Sequence, residues 1–504
     1  MKKSKSIGKR IAMPALSAIM LSSLVACSNS EESSTKSNNG KSTISIMTTA
    51  YTATPPTDDS PALKALEEYT ETDISVDFVP NSVYPDKLNV TLASGKLPMI
   101  MMIPSKIPSF ISAVRNDAFW DLTPYLKDYP NLSQANEITL QNSAIDGKIY
   151  GIYRSRPLGR YGVAFRKDWL DNLGLSEPKT IDDFYNILKA FTNDDPDGNG
   201  KDDTYGMTIS KWSGPFDIMQ TWFGVPNKWS IEQDGTLQPD FMSKEYMTAL
   251  KFFKQLYDEK LINEDFAVMD TAKWSEPFQK SQSGVQVNTL DDAHRNQDAM
   301  EKIDPNLKGV VDVVGAVSGP NGLYNLPTSG YSGLLAIPKS SVKTEADLKK
   351  VLSFIDKINN EPAQTIAYAG VEGRHYEMKD GEIVPLVTAQ DPESTEYTDL
   401  NQFIPGIPGE NFKHPEFSAL RLKENEIMKE NEEIVVANPA ESLLSTVYAQ
   451  KGQQLDNIIN DARIKYIVGQ IDDKGMEDAI ELWRSSGGDD YIEEINKLYK
   501  DSQK

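Results

Sequence analysis

Cysteine and histidine are scarce in this chain of 504 residues, which contains one cysteine and three histidines. The lone thiol excludes an internal disulfide, so the fold must be stabilised by packing alone. A metal site built from several imidazoles is nearly excluded as well. The sequence also lacks HExxH, G-x-S-x-G, the Walker phosphate loop and the dinucleotide-binding fingerprint. These absences remove the enzyme classes that short motifs identify.

Basic residues are outnumbered, with 52 Lys and Arg against 74 Asp and Glu and a formal net charge of -22. A chain of this charge repels phosphates, and no Lys/Arg run follows the first ten residues, so nucleic acid is not expected as a partner. The charge is typical of a soluble, secreted surface. A hydrophobic content of 39% supports real cores, and the length favours two or three packed units.

No apolar run reaches the roughly 20 residues that cross a bilayer. The stretch Ile11–Ala26 is short of that length and follows a basic N-terminal segment, which predicts a signal peptide at 1–26. It ends in Leu24-Val25-Ala26-Cys27, which resembles a bacterial lipobox and implies a diacylglycerol on the Cys27 thiol. The alternative is an ordinary signal peptide followed by a chance cysteine.

The polar segment 27–42 is predicted to be a flexible tether, because it has too little apolar surface to repay the entropy of ordering. Together, the tether and the lipid predict that the folded part of the protein is anchored on the extracellular face of the cell membrane.

Alternating strand and helix patterns begin at Thr43. Residues 43–79 read as strand, helix and strand, a βαβ unit that predicts a parallel sheet covered by helices. Thr180 and Asp183 form a capping pair before a helix with an apolar face, and the last hundred residues are mainly helical. The pattern indicates an α/β protein with at least two lobes.

Five stretches carry a family resemblance when taken together and in order: Ala93–Pro98, Phe165–Gly174, Asp195–Gly206, Lys451–Leu455 and Leu482–Tyr491. They resemble the family 1 extracellular solute-binding proteins of the maltose-binding type, in the lipoprotein branch related to alginate-oligosaccharide-binding proteins of ABC importers.

The resemblance implies a two-lobed periplasmic-binding-protein-like α/β fold with hinge strands and a mainly helical C-terminal region. The N-terminal lobe would comprise 43–161 and 316–383, and the C-terminal lobe 162–315 and 384–504. The chain would cross between them near 159–163, 311–316 and 376–383.

The same resemblance implies a lipid-anchored, monomeric binding protein that captures a carbohydrate, an oligosaccharide by expectation, and passes it to ABC permease subunits. Two other classes stay open. A carboxylate-pair glycosidase or lyase cannot be excluded by a motif, because its two acids are defined by their distance in space and not by their spacing in the sequence. A peptide carrier would keep the binding role and change the ligand, and an adhesive role comes third.

The segment Asp195–Gly206 matches an EF-hand calcium loop at most positions. Oxygen side chains stand at positions 1, 3, 5 and 9, glycine at 6 and a backbone carbonyl at 7. The expected ligands of a structural calcium ion are Asp195, Asp197, Asn199, Lys201 and Asp203. Gly206 at position 12 has no carboxylate, so Thr204, water or a distant acid would have to complete the shell. The alternative is a metal-free acidic turn.

A sugar site needs aromatic rings for stacking and polar groups for directional hydrogen bonds. In an open α/β sheet these side chains belong at the carboxyl ends of strands. Each tryptophan has core packing as its alternative, and Trp169 and Trp483 are expected in the core. The expected ligand-binding residues, with Trp212, Asp291 and His294 first, are Tyr51, Trp212, Trp222, Trp274, Asn288, Asp291, His294, Arg295 and Glu441.

Overall fold

The computed structural model describes residues 42–388, 391–412 and 417–503. The expectations for the signal peptide, Cys27 and almost all of the tether therefore lie outside the described residues. The strands are β1 (Ser42–Ala50), β2 (Thr72–Pro80), β3 (Ile100–Ile103), β4 (Gly151–Ser155), β5 (Tyr161–Arg166), β6 (Tyr205–Met207), β7 (Trp229–Ile231), β8 (Leu237–Pro239), β9 (Ser283–Thr289), β10 (Val311–Val314), β11 (Tyr331–Ala336), β12 (Tyr376–Lys379) and β13 (Glu382–Pro385).

The helices are α1 (Pro61–Thr70), α2 (Tyr84–Ser94), α3 (Pro108–Arg115), α4 (Glu137–Ser143), α5 (Lys167–Leu173), α6 (Ile181–Asn193), α7 (Gly214–Trp222), α8 (Lys244–Asp258), α9 (Glu276–Gln279), α10 (Asp292–Ile303), α11 (Glu345–Lys357), α12 (Glu361–Ala369), α13 (Ala419–Asn431), α14 (Thr446–Ile467), α15 (Asp473–Trp483) and α16 (Asp489–Ser502). Within the described part of the chain, no helix combines the length and apolar character needed to span a membrane.

Two sheets organise the chain into two lobes. The first lobe has a five-stranded sheet in the order β2-β1-β3-β11-β4, and the second a four-stranded sheet in the order β10-β5-β9-β6. β1 pairs in parallel with both β2 and β3, as the βαβ pattern predicts. Neither sheet is wholly parallel, because β11 runs antiparallel to β3 and β4, and β5 runs antiparallel to β9 and β10.

Each sheet has its own hydrophobic core. The first core contains Ile46, Met101 and Leu335, and the second is built around Phe165 and Phe184. Trp169 and Trp483 are buried in the second core, as expected from their helical apolar patterns. The local signals are also clear, since Thr180 and Asp183 form a complete capping box at the start of α6.

The expected lobe boundary at residue 383 is wrong. Leu400, Phe403 and Ile407 are buried in the first core, so the chain stays with the first lobe well beyond β13. A hydrogen bond also connects this stretch to the end of β1, where Thr48 Oγ1 donates to the Gln402 carbonyl. The third passage between lobes therefore lies between Ile407 and α13, where Met428 packs against the strands of the second lobe.

Candidate functional site

A cavity of about 370 Å³ opens between the lobes and is lined from both sides. Asn142 on α4 and the connecting residues Thr328 and Ser329 lie on one side, and α7, α8 and α14 supply the other. Lys106, just after β3, donates to the carbonyls of two lining residues, Asn142 and Glu441, at 2.8 and 2.7 Å. The volume lies within the range of small-molecule sites in proteins.

Three aromatic rings form one wall of this cavity. The rings of Tyr448 and Tyr491 are nearly parallel, with centroids 5.0 Å apart and an interplanar angle of 28°. Trp229 meets Tyr491 edge-on at 5.2 Å. Tyr448 is 40% exposed, so its ring is available to a ligand. Flat apolar faces next to polar groups are the combination that the hydroxyl rings and C–H faces of a sugar require.

Charged groups line the wall beside these rings. Arg463 Nη1 donates to Asp217 Oδ1 at 2.7 Å, and Ser213 Oγ donates to Asp217 Oδ2 at the same distance. The carboxylate of Asp240 accepts from the Phe241 amide and from Gln220 Nε2 at 2.8 and 3.2 Å. Burial, reinforced by the charge of Asp217, raises the pKa of Asp240 to about 7. Asp240 is therefore a carboxyl group that titrates near neutrality at the cavity wall.

Three arginines, Arg154, Arg156 and Arg160, follow one another along the passage from β4 to β5, and we call them the arginine row. Among the described residues of this row, only Arg160 forms an ion pair, donating to Asp291 through two bonds of 2.7 Å. Burial raises the pKa of Tyr161, the charges of Arg160 and Arg156 act in the opposite direction, and the charge of Asp217 adds to the effect of burial.

A second cavity of about 630 Å³ lies on the second lobe beside the first one. Four of the expected ligand-binding residues, Trp212, Trp274, Asn288 and Arg295, meet here. Trp212 is 38% exposed and contacts Trp274 at a centroid distance of 5.6 Å. Trp274 is buried and donates its indole N–H to the Thr208 carbonyl at 2.8 Å, so it supports Trp212 instead of offering a free ring. The next residue, Ser213, lines the first cavity, so a single loop separates the two.

Two other expected residues, Tyr51 and Glu441, differ in their surroundings. Tyr51 follows β1 in the first lobe, is 64% exposed, and has its backbone amide bonded to Asp399. Glu441 lines the first cavity and accepts from Asn438 Nδ2 at 2.9 Å.

The structure places the remaining three expected residues differently from the hypothesis. Trp222 is 1% exposed and packs against Phe184, so it is a core residue with no ring face for a ligand. Asp291 is buried between Arg160 and Arg295, which occupy its carboxylate and make it a positioning residue. His294 bonds through its backbone amide and Nδ1 to the fully buried Glu424, at 2.8 and 2.7 Å.

Sequence reasoning missed Tyr448, Tyr491, Asp217, Asp240 and Arg463. All lie on helices, Asp240 on a short one, whereas the sugar site was expected at the carboxyl ends of strands. Their pairings also span long separations, since Asp217 and Arg463 are 246 residues apart. The sequence signal that could have indicated this wall is Tyr448, an aromatic residue in the first turn of α14.

The expected calcium loop forms a compact turn in which backbone amides already use the acidic side chains. Asp195 accepts from the amides of Asn199 and Gly200 at 3.0 and 2.9 Å. Asn199 Nδ2 donates to Asp197 and Asp203 at 2.8 and 3.2 Å, drawing both side chains to one centre. Across the described residues, no trio of His, Cys, Asp or Glu side chains is arranged to hold a metal ion.

The structure explains the departure at loop position 12. A Cβ on Gly206 would lie 2.8 Å from Leu188, because β6 packs directly on α6, so this position has no room for a glutamate. Thr204 is no substitute ligand, since it is buried and its hydroxyl donates to the Phe191 carbonyl at 2.9 Å. The oxygen set available to an ion is thus limited to Asp195, Asp197, Asn199, Asp203 and the Lys201 carbonyl. These oxygen ligands are of the type that a hard cation prefers, but they are fewer than an EF-hand loop supplies.

Comparisons with known proteins give one consistent picture. The family described as bacterial extracellular solute-binding protein matches residues 51–365. Lipoprotein LipO of Bacillus subtilis (strain 168) is 51% identical over 501 residues, covering 98% of this chain and 99% of that protein. The polygalacturonan/rhamnogalacturonan-binding protein YtcQ of the same organism is 37% identical over 488 residues, covering 95% and 96%. An extracellular solute-binding protein structure from Bifidobacterium longum subsp. infantis aligns with a TM-score of 0.69 at 19% identity, covering 93% and 100%.

Proposed function

The chain belongs to the bacterial extracellular solute-binding protein family, and from that premise we propose that it captures an oligosaccharide between its lobes for an ABC importer. The observation that carries the proposal is the cavity between the lobes, lined by rings and by paired charges. Closing two rigid lobes on a ligand adds contacts that only the closed state has, so ligand binding favours closure. The closed form would then be the one that docks on the permease subunits.

A carbohydrate is the ligand class that best matches this lining. Tyr448 offers a ring face beside Asp217 and Arg463, which can hydrogen-bond to hydroxyls. The relative YtcQ, by its name, binds a pectic polysaccharide, which supports the same class for this chain. The neighbouring cavity at Trp212 would extend the contact surface beyond one sugar ring, in keeping with an oligosaccharide.

A glycan-panel thermal-shift screen followed by calorimetry tests the proposal. We expect at least one oligosaccharide to raise the melting temperature. Tyr448→Ala should weaken its binding roughly five- to thirtyfold, because a stacking ring is worth about 1–2 kcal/mol. Tyr448→Phe is the matched control, since it keeps the ring and loses only the bond to Asp456. Equal affinities for the Ala and Phe variants would contradict the assignment of this cavity.

The carrier role, as opposed to catalysis, is part of the same proposal. The bound oligosaccharide should be recovered intact after long incubation, whereas a glycosidase or lyase would yield shorter products. A peptide that raises the melting temperature, in the absence of any glycan that does, would favour the peptide-carrier alternative.

We further propose that Cys27 carries a lipid that holds the protein, as a monomer, on the extracellular face of the membrane. LipO is named as a lipoprotein and aligns over nearly the whole chain, which supports this anchor. Labelling cells with a fatty-acid analogue should mark the wild-type protein and leave Cys27→Ser unmarked. Release of wild-type protein into the medium in unlabelled form would contradict the anchor.

Calcium binding to the 195–206 loop is a second, structural part of the proposal. Asp195, Asp197 and Asp203 would hold the ion, together with Asn199 and the Lys201 carbonyl, and would fix the turn after α6. We expect calcium to raise the melting temperature, a chelator to reverse the change, and Asp197→Asn to reduce it. Asp58→Asn is the control, because Asp58 is an exposed acid outside the loop. Identical melting with calcium and with chelator would refute this part.

A further inference from the structure

A lysine connects the two lobes beside the first cavity. Lys106 lies in the short connection from β3 to α3, and the adjacent Ile107 packs against the first core. Its Nζ donates to the Asn142 carbonyl at 2.8 Å and to the Glu441 carbonyl at 2.7 Å, and we call these two bonds the Lys106 bridge. Both acceptor residues line the cavity.

The first bond of the bridge stays within the first lobe and fixes the position of the ammonium group. Asn142 lies in the last turn of α4, where backbone carbonyls have no partner within the helix and a cation is favoured. Asn142 is held in turn, because its side-chain amide donates to the Ser329 carbonyl at 3.1 Å. The connection that carries Lys106 follows β3, which is buried throughout, so the first lobe presents the ammonium group at a defined place.

The second bond reaches the second lobe. Glu441 follows Ala440, which packs with Trp229 and Ile495 in a small core of the second lobe. Leu444, three residues further on, packs against the first core. The turn at Glu441 is therefore a point where second-lobe residues contact the first lobe, and the Lys106 bridge adds a polar bond to that contact.

The ammonium group is satisfied by carbonyls instead of by an acid. Among the described residues, Lys106 has no carboxylate at ion-pair distance, and the Glu441 carboxylate accepts from Asn438 Nδ2. Burial lowers the pKa of Lys106, while the charge of Glu441 acts in the opposite direction. A lysine ammonium binds a carbonyl more strongly than a neutral donor does, so exchanging the Glu441 carbonyl for water when the lobes separate carries a cost.

We propose that Lys106 is a positioning residue for ligand capture, whose bond to the Glu441 carbonyl favours the arrangement in which the lobes enclose the cavity. This inference rests on the proposed function, because it concerns how that capture is stabilised. A group that stabilises the closed arrangement raises the affinity for every ligand that the closed arrangement holds, without touching any of them. The Lys106 bridge should therefore act on dissociation, since a ligand leaves only after the lobes separate.

Distance measurements in the glycan-free protein test the bridge directly. Cys27 is the only cysteine of the chain, so the mature protein with Cys27→Ser can be spin-labelled through Ser112→Cys on α3 and Lys497→Cys on α16, two exposed positions in different lobes. Double electron–electron resonance should show longer distances between the labels in Lys106→Met than in the wild-type background. Lys106→Arg, which keeps the charge and the donors, should restore the shorter distances.

Binding kinetics of tetragalacturonate and nystose, an acidic and a neutral oligosaccharide, measure the consequence for capture. Loss of one charge-assisted bond predicts roughly tenfold faster dissociation from Lys106→Met of whichever glycan the wild type binds, with little change in association. Lys96→Met is the matched control, because Lys96 is an exposed lysine of the first lobe. Lys106→Gln, which is uncharged and shorter, is the second variant if Lys106→Met impairs folding.

The outcomes separate the bridge from the proposed function. Equal label distances in Lys106→Met and the wild-type background would overturn the inference and leave oligosaccharide capture intact. Weaker glycan binding with unchanged glycan-free distances would also overturn it, because Lys106 would then contact the ligand itself. Longer distances together with binding of no glycan in the panel would support the bridge and overturn the proposed function. Longer distances and faster dissociation together would support both.

Discussion

Asp240→Asn should make the protein more stable at pH 8 and leave it nearly unchanged at acidic pH. The pKa of Asp240 rises from 3.8 to about 7 in the folded protein, chiefly through burial. Between these values the folded state binds a proton that the unfolded state has released, so unfolding is favoured as pH rises through this window. The shift of about three units corresponds to about 4 kcal/mol of stability that is present at low pH and lost above pH 7.

An asparagine at this position avoids that loss. It stays neutral at every pH and keeps an oxygen to accept from the Phe241 amide. Its amide nitrogen can also donate to Gln220 Oε1 after that side chain turns over, and this oxygen is a buried atom without a partner among the described residues.

Urea unfolding of wild type and variant at a series of pH values from 4 to 8 measures the effect. The quantity of interest is the difference in unfolding free energy between the two proteins, because other titrating groups cancel in it. We expect this difference to grow from near zero to about 4 kcal/mol. Asp58→Asn, which changes an exposed acid, should show no such growth. Parallel curves for wild type and Asp240→Asn would refute the reasoning.

Three further predictions follow from the positions of individual side chains. Trp222→Ala should destabilise the fold by about 3–5 kcal/mol in denaturant unfolding and leave the affinity of the folded protein for sugar unchanged, and a selective loss of affinity would place Trp222 in the site instead. Gly206→Glu should lower the melting temperature without strengthening calcium binding, since its Cβ meets Leu188, and tighter calcium binding on titration would contradict the crowding. Asp291→Asn should lower the melting temperature, because it removes the carboxylate that pairs with both Arg160 and Arg295, and an unchanged melting temperature would contradict that structural role.

The alternating α/β pattern, the capping box at Thr180 and the core positions of Trp169 and Trp483 could be predicted from the sequence. These features are local, because helix caps and apolar periodicity depend on residues a few positions apart. The exposure of Trp212 could also be predicted from the sequence, because it follows a strand and an open sheet binds ligands at the carboxyl ends of its strands.

Only the tertiary structure decided which side chains are free to bind. Asp291 and His294 have the right chemistry for a sugar, but Arg160 and Glu424, 131 and 130 residues away, already occupy them. The aromatic wall joins Trp229 to helices more than two hundred residues later, and the stretch up to Ile407 returns to a core that begins at Ile44. A polar side chain is free to bind a ligand only if no neighbour already hydrogen-bonds to it, and those neighbours come from distant parts of the chain. Local sequence patterns therefore cannot show which polar side chains are free.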